Sequence, residues 1–323
     1  MRTRGSEIFE DQSLKGEGYI VGTRKSPLAL AQTTIVIDAL RQANPTLSPI
    51  QVVGITTTGD RITDQSLSDI GGKALFVKEI EQSLLNKEID FAIHSLKDLE
   101  THQPSGLTIA CVLEREDARD VLITRQDGLT LKTLKQGAII GTCSPRRAMQ
   151  LLAHRPDFRI IPIRGNVQTR LRQIQSSGYD GTILALAGLK RLGLLQDENS
   201  LSGYSDLCVT ILSLKEMLPA AGQGVIAIEA RSDDSEILSL LRTVNHDPTE
   251  LCIRAERSLL RELGGNCHTS IAAFASIIDP EILALDVVYA PRDVPIYYRE
   301  EISLSNCSPE DFGIKLARYL KNS

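Results

Sequence analysis

Val21-Gly-Thr-Arg-Lys-Ser-Pro27 and Ile140-Gly-Thr-Cys-Ser-Pro-Arg-Arg147 share one pattern: a β-branched run, Gly-Thr, a polar turn and a proline. Proline suits the first turn of a helix, where its missing N–H is not needed, and the preceding serine suits the N-cap. Each stretch therefore reads as a strand turning into a helix capped by Ser26 or Ser144. The echo fits two similar lobes with one such unit each, or a turn common to many strand-helix units.

Outward from these turns, short β-branched runs alternate with helical periodicity from Tyr19 to about Arg231, the pattern of an α/β fold with mostly parallel sheets. Strands are expected at 19–23, 50–56, 91–94, 121–124, 138–141, 159–163 and 182–187. Leu28, Ala31, Ile35 and Ala39 recur on one face of the first helix, and Phe76, Ile80 and Leu84 on one face of a later one. Beyond Ser232, Leu251, Ala255, Leu259 and Leu263 form a helical stripe. Strands at 271–278, 281–289 and 295–304 follow, then a last helix with Phe312, Leu316 and Leu320, which together predict a small C-terminal α+β domain.

The 323 residues exceed what one core usually serves, so two or three domains are expected. Hydrophobic residues at 42% and charged residues at 24% are an ordinary globular balance. No apolar run approaches the roughly 20 residues of a membrane-spanning helix. Met1 to Gly18, of mixed charge and without the apolar stretch of a secretory signal, reads as a flexible extension. Six cysteines, at 111, 143, 208, 252, 267 and 307, lack the close pairs of a zinc site, so reduced thiols and no metal are expected. The net charge of -5 gives no long-range pull toward nucleic acid or an anionic membrane, so any anionic ligand must be attracted locally.

Arginines supply that local attraction. A helix N-terminus presents unpaired N–H groups and a positive dipole end. Arg24 follows the first Gly-Thr, Arg146 and Arg147 open the second helix, Arg164 precedes a helix containing Arg170, and Arg191 follows the Ala187-Gly188 turn in the same manner. Guanidinium groups grip carboxylates bidentately, so several such arginines converging on a cleft between lobes suit a ligand with several carboxylates. Asp90-Phe-Ala-Ile-His-Ser-Leu-Lys-Asp98 reads as a strand emptying into a polar turn. Asp98 is either an acid-base or cation-stabilising group, or the cap of a turn paired with Lys97. His94 reads as a satisfied, partly buried histidine rather than a general base. Cys111, Cys208 and Cys252 read as small core side chains. Cys267, in Gly264-Gly-Asn-Cys-His268, is either an accessible nucleophile favoured by His268 or another packing cysteine.

With Gly22-Thr-Arg-Lys-Ser-Pro-Leu-Ala-Leu-Ala-Gln32, Gly71-Gly-Lys-Ala-Leu-Phe-Val-Lys-Glu79, His94-Ser-Leu-Lys-Asp98, Gly141-Thr-Cys-Ser-Pro-Arg-Arg147, Arg164-Gly-Asn166, Ala187-Gly-Leu-Lys-Arg191, Ala221-Gly-Gln-Gly224 and Gly264-Gly-Asn-Cys267, the chain resembles the porphobilinogen deaminase family. Eight ordered motifs from about Tyr19 to Thr269 are far more specific than any one of them. The resemblance implies two lobes like those of periplasmic binding proteins and a third domain carrying a cofactor cysteine, with boundaries expected at 19–115 plus 215–234, 116–214 and 235–323. It implies a transferase that polymerises porphobilinogen, with loss of ammonia, into hydroxymethylbilane for haem and related pigments. A dipyrromethane cofactor would be held by a thioether to Cys267. Asp98 matches the catalytic aspartate, with Lys97 beside it. Thr142, Ser144, Arg146, Arg147, Lys97 and Arg191 match positions toward the cofactor. Arg24, Ser26, Arg164, Arg170 and Arg191 match positions toward substrate carboxylates, with Lys73 and Gln223 as positioning groups. A monomer in the cytoplasm or an organelle stroma is expected.

Ser270 and Glu100 stand where the family often has proline, and the stretch 195–213 looks longer than usual, as a lengthened surface loop. Two competing readings remain. A two-lobed anion-binding or sensor protein without catalysis explains the arginine turns but not the loop cysteine. A cysteine hydrolase lacks a base-orienting constellation.

Overall fold

The computed structural model describes residues 18–61, 77–176, 178–265, 269–290 and 294–322. Nearly all of the expected extension over 1–18, together with Lys73, Phe76, Cys267 and His268, lies outside them. From the N-terminus come β1 (Tyr19–Arg24), α1 (Pro27–Ala43), β2 (Ile50–Ile55), α2 (Thr58–Arg61), α3 (Lys78–Leu85), β3 (Phe91–Ser95) and β4 (Leu107–Val112). Then follow β5 (Asp120–Thr124), β6 (Ile139–Gly141), α4 (Pro145–His154), β7 (Arg159–Ile161), α5 (Val167–Ser176), β8 (Gly181–Ala185), α6 (Leu186–Arg191) and β9 (Cys208–Ile211). The last are β10 (Ile226–Arg231), α7 (Ser235–Arg242), α8 (Asp247–Glu262), β11 (Ile271–Asp279), β12 (Ile282–Tyr289), β13 (Ile296–Ser303) and α9 (Pro309–Asn322). They divide into two compact units, 1–115 with 225–250 and 116–224 with 251–323.

The first unit is built on a sheet in the order β2-β1-β3-β10-β4, with β1 parallel to β2 and β3, and β10 antiparallel to β3 and β4. Alternation along the strands gives each face its own core. Phe91, Ile93, Ile226 and Ile228 pack with Val36 and Leu40 of α1 and with Ile237 and Leu241 of α7. Ala92 packs with Ile80 and Leu84 of α3. The buried face of α1 is Ala29, Thr33, Val36 and Leu40, not the expected stripe, and Ile35 is exposed. This helix is apolar on more than one side, so periodicity alone admits two faces. The Gln32 amide, bonded to Ser95 Oγ at 2.9 Å, helps fix its rotation.

The sheet of the second unit, β7-β6-β8-β5-β9, repeats the first position for position. β6 stands where β1 does, with β7 for β2, β8 for β3, antiparallel β5 for β10, and β9 for β4. Even single bonds repeat. Asp90 Oδ2 accepts from the Ile20 N–H at 2.7 Å, and Asp180 Oδ2 from the Ile139 N–H at 2.8 Å. The Leu96 N–H reaches the Val225 carbonyl and the Leu186 N–H the Arg119 carbonyl, both at 3.0 Å. The echo between the two Gly-Thr turns is thus the trace of a duplicated lobe. Two expectations change. The strand expected over 182–187 stops at Ala185, because Leu186 already starts α6. The stretch 195–213 is more than a surface loop, since it supplies β9 and buries Leu201, Leu207 and Val209.

The expected C-terminal α+β domain is the antiparallel sheet β11-β12-β13 under α8 and α9, with Ala255, Leu259, Phe312, Leu316 and Leu320 in its core. Buried Glu256 joins it to the segment before β10, accepting from the Gly222 and Ala275 N–H groups at 2.7 Å each. Helices α8 and α9 meet at Gly313, where a Cβ would collide with Ser258 Oγ and the Ala255 carbonyl. Overpacking of this kind costs about 2 kcal/mol. Gly313→Ala is therefore expected to lower stability by about that amount in urea unfolding.

Candidate active site

In the first unit, β1 and β3 are parallel neighbours, so the residues after both strands meet at one sheet edge. Arg24, Ser26, Gln32, His94, Ser95 and Asp98 line one pocket there. Ser26 caps α1, accepting from the Ala29 N–H at 3.3 Å, as the serine-proline pattern predicts. The strand β3 ends in a tight turn over Leu96–Asp98, which leaves Asp98 exposed and Lys97 half-buried. His94 is buried, with Nε2 3.1 Å from Glu229 Oε2. A guanidinium, hydroxyls and a carboxylate thus converge on one pocket. It can hold an anionic substituent and place a negative charge beside a developing cation.

In the second unit, β7, β6 and β8 bring the Thr142–Arg147 turn, Arg164 and the start of α6 to the corresponding edge. Ser144 caps α4 through the Arg147 N–H at 3.4 Å, and Thr142 Oγ1 accepts from the Ser144 N–H at 3.1 Å. Arg146 and Arg147 are buried, each 2.7 Å from one oxygen of the fully buried Asp120. They also donate to the carbonyls of Leu218 and Ile183, at 2.5 and 2.9 Å. Gln223 joins them, donating to Asp120 Oδ1 at 2.9 Å and to the Ala118 carbonyl at 2.7 Å. Burial alone would raise the Asp120 carboxyl, but the charges of Arg146 and Arg147 override it and hold it well below the usual carboxylate range. Two guanidinium groups against one carboxylate leave a net positive charge. The Arg147 Nε is buried without a hydrogen-bond partner among the described residues.

Arg164 and Arg170 flank Gly165, with the Arg170 Nε on the Gly165 carbonyl at 2.9 Å. Asn166 caps α5, accepting from the Thr169 N–H at 2.8 Å. Arg191 corrects an expectation: it is the last residue of α6, not part of a strand-to-helix turn, because helix begins at Leu186 and runs through Gly188. Its guanidinium donates to the Gly224 carbonyl at 2.6 Å. Burial pushes it down to about 10, with only the charge of Glu116 pulling it back, so an added anion would stabilise it. Gln32 and Asp120 escape a reading of the sequence. Gln32 sits inside a quoted motif at a core-facing helix position, whereas Asp120 ends the charged run Arg115-Glu-Asp-Ala-Arg-Asp120, which looks like solvated surface.

Two family descriptions match the chain: "Porphobilinogen deaminase, dipyromethane cofactor binding domain" over residues 19–239 and "Porphobilinogen deaminase, C-terminal domain" over residues 250–322. A porphobilinogen deaminase from Brevibacillus brevis is 48% identical over 300 residues, covering 93% of each chain. One from Geobacillus sp. is 45% identical over 301 residues, again covering 93% of each. Among solved structures, a Salmonella typhimurium periplasmic binding protein with high arginine specificity is similar, with a TM-score of 0.41 and 13% identity, covering 71% of this chain and 92% of that one.

Asp120→Asn leaves two buried guanidinium groups without their shared counter-charge and is expected to cost about 3 kcal/mol in denaturant unfolding at neutral pH. A carboxyl whose folded value is depressed stabilises above its unfolded value, 3.8, and that contribution fades as pH falls further. The difference between wild type and Asp120→Asn should therefore shrink as unfolding is measured below about pH 4.

Proposed function

The chain belongs to the porphobilinogen deaminase family, and from that membership we propose how its own residues divide the work of joining four porphobilinogen molecules head to tail into hydroxymethylbilane. The activity is that of a transferase in tetrapyrrole biosynthesis with a dipyrromethane cofactor. A binding protein or sensor without catalysis is not favoured. The residue roles rest above all on the convergence of Arg24, Ser26 and Asp98 in one pocket.

Asp98 accepts the pyrrole N–H of the substrate and stabilises the positive charge that develops as ammonia leaves, while Lys97 lies beside it on the same turn. Arg24 and Ser26 hold the carboxylates of the incoming porphobilinogen, the guanidinium in bidentate geometry and the serine at the positive end of α1. Arg164, Arg170 and Arg191 do the same for the growing chain. Lys73 and Gln223 position these groups, Gln223 through its bond to Asp120.

The residues of the second unit suit a group bearing several carboxylates, since Arg147 keeps a buried, unpartnered Nε and Arg191 is desolvated. Thr142, Ser144, Arg146, Arg147 and Arg191 would hold the dipyrromethane, anchored through a thioether to Cys267. When bound, it supplies the free pyrrole carbon to which the first substrate is joined. Among the described residues no helix is long and apolar enough to cross a membrane, and no cluster of metal-ligating side chains is present. The protein acts as a monomer in the cytoplasm, with porphobilinogen as its small-molecule partner and no nucleic acid.

Asp98→Asn keeps shape and removes charge, so it should retain fold and substrate binding while turnover, assayed as ammonia release, falls by about 100-fold. Near-normal turnover would remove Asp98 from this role. The intact mass of active protein should exceed the polypeptide mass by two pyrrole units, and Cys267→Ser should lack that increment. An active protein of bare polypeptide mass would overturn the covalent assignment.

A further inference from the structure

We propose that Glu81, His94 and Glu229 form one buried cluster of charged side chains behind the Asp98 pocket, and that its charge, set by Glu81, helps stabilise the cation developing on the substrate. The inference rests on the reading of Asp98 given above. His94 lines the pocket itself. The register pairs Ala92 with Glu229 and His94 with Ala227, so Glu229 and His94 are diagonal neighbours on the face that packs against α3. Glu81 is buried on that helix. Among the described residues neither Glu229 oxygen has a hydrogen-bond partner, although the residue is fully buried.

The fold does not require these groups. In the duplicated lobe the position of His94 is filled by Leu184 and that of Glu229 by Ile123, both buried against α5 in an ordinary apolar core. Burying an ion pair brings little or no stability over well-packed apolar residues of similar volume. A titratable cluster in one lobe only, in the wall of the pocket that holds Asp98, points to a role in that pocket.

His94 Nε2 lies 3.1 Å from Glu229 Oε2, and the cluster becomes one unit more negative when Glu81 ionises. Burial first, and then the charge of Glu229, push Glu81 up to about 7, with His94 opposing and Glu100 adding to the rise. The step therefore falls near neutrality. Other charges nearby are already engaged: Arg231 on β10 with Asp234 at 2.7 Å and the carbonyls of Leu84 and Ile89, and Glu79 on α3 with Thr58. The strand β4 carries no charged residue.

The test compares kcat of wild type and Glu81→Gln from pH 5.5 to 8.5, with porphobilinogen as substrate. Below pH 6 the two should agree, and above pH 8 wild type should be faster by about five-fold, with KM little changed. Profiles that superimpose, or differ by one constant factor, overturn the proposal, the latter marking a merely structural role. Stability gives a second readout. The folded state holds the Glu81 proton above the unfolded value of 4.5, and the stabilisation this brings is lost as pH rises to about 7. Glu81→Gln should therefore gain in melting temperature over wild type across that window, and a constant difference counts against the cluster. A second variant, His94→Leu with Glu229→Ile, copies the duplicated lobe and should melt no lower than wild type yet turn over about ten-fold more slowly. A double variant that unfolds, or that keeps the wild-type rate, overturns the proposal. Asp98→Asn run in parallel separates the two ideas. Normal turnover there sinks the Asp98 reading, whereas its loss beside a pH-independent Glu81→Gln ratio sinks only the cluster.

Discussion

Parallel pairing of a strand ending in Gly-Thr with a second strand ending in a turn is the constraint on which both candidate site regions depend. It brings β1 beside β3, and β6 beside β7 and β8, so that residues remote in the chain finish at one sheet edge. A carboxylate opposite the start of each pairing, Asp90 for Ile20 and Asp180 for Ile139, holds the register. A one-residue slip would exchange the faces of the strand, sending Phe91 and Ile93 toward α3 and His94 away from it. The capped helices that follow add N–H donors to the same edge, so the turns attract anions before any arginine contributes.

Charge is buried in each unit, for different reasons. Asp120 is surrounded by two guanidinium groups and the Gln223 amide, a network in which both carboxylate oxygens are satisfied. It fixes Arg146 and Arg147 in place, so that two long side chains are already ordered. Glu256 does comparable work with two backbone N–H groups, tying the segment before β10 to the C-terminal sheet. Glu229 instead leaves both carboxylate oxygens without a hydrogen-bond partner among the described residues, at a position that the other lobe fills with the apolar Ile123.

Much of this was legible in the residues because local chemistry and tertiary structure agree. Ser26-Pro27 and Ser144-Pro145 start helices where they should, and the terminal stripe Phe312, Leu316 and Leu320 is buried as its spacing requires. The misreadings arise where a pattern admits two answers. In α1 the apolar residues wrap the helix, and its rotation is set by the packing of Val36, Ile37 and Leu40 together with the bond from Gln32 to Ser95. Leu184-Ala-Leu-Ala-Gly188 is apolar at either period, and the helix wins after Ala185. Asp120 and Glu229 were hidden for another reason: burial of a charge depends on partners far away in sequence, Arg146 and Arg147 in one case and His94 in the other, which no local window contains.

The duplication also shows how one scaffold came to hold two chemistries. Aligning Asp90 with Asp180 places His94 on Leu184, Lys97 on Ala187 and Asp98 on Gly188. The first lobe thus ends its central strand in a carboxylate with titratable groups beneath it, and the second ends the same strand in a neutral helix start over an apolar core. The asymmetry reverses one turn away. Arg146 and Arg147 open α4, whereas the matching positions of α1 after Pro27 are Leu28 and Ala29. Equivalent backbones therefore present a negative group in one lobe and paired cations in the other.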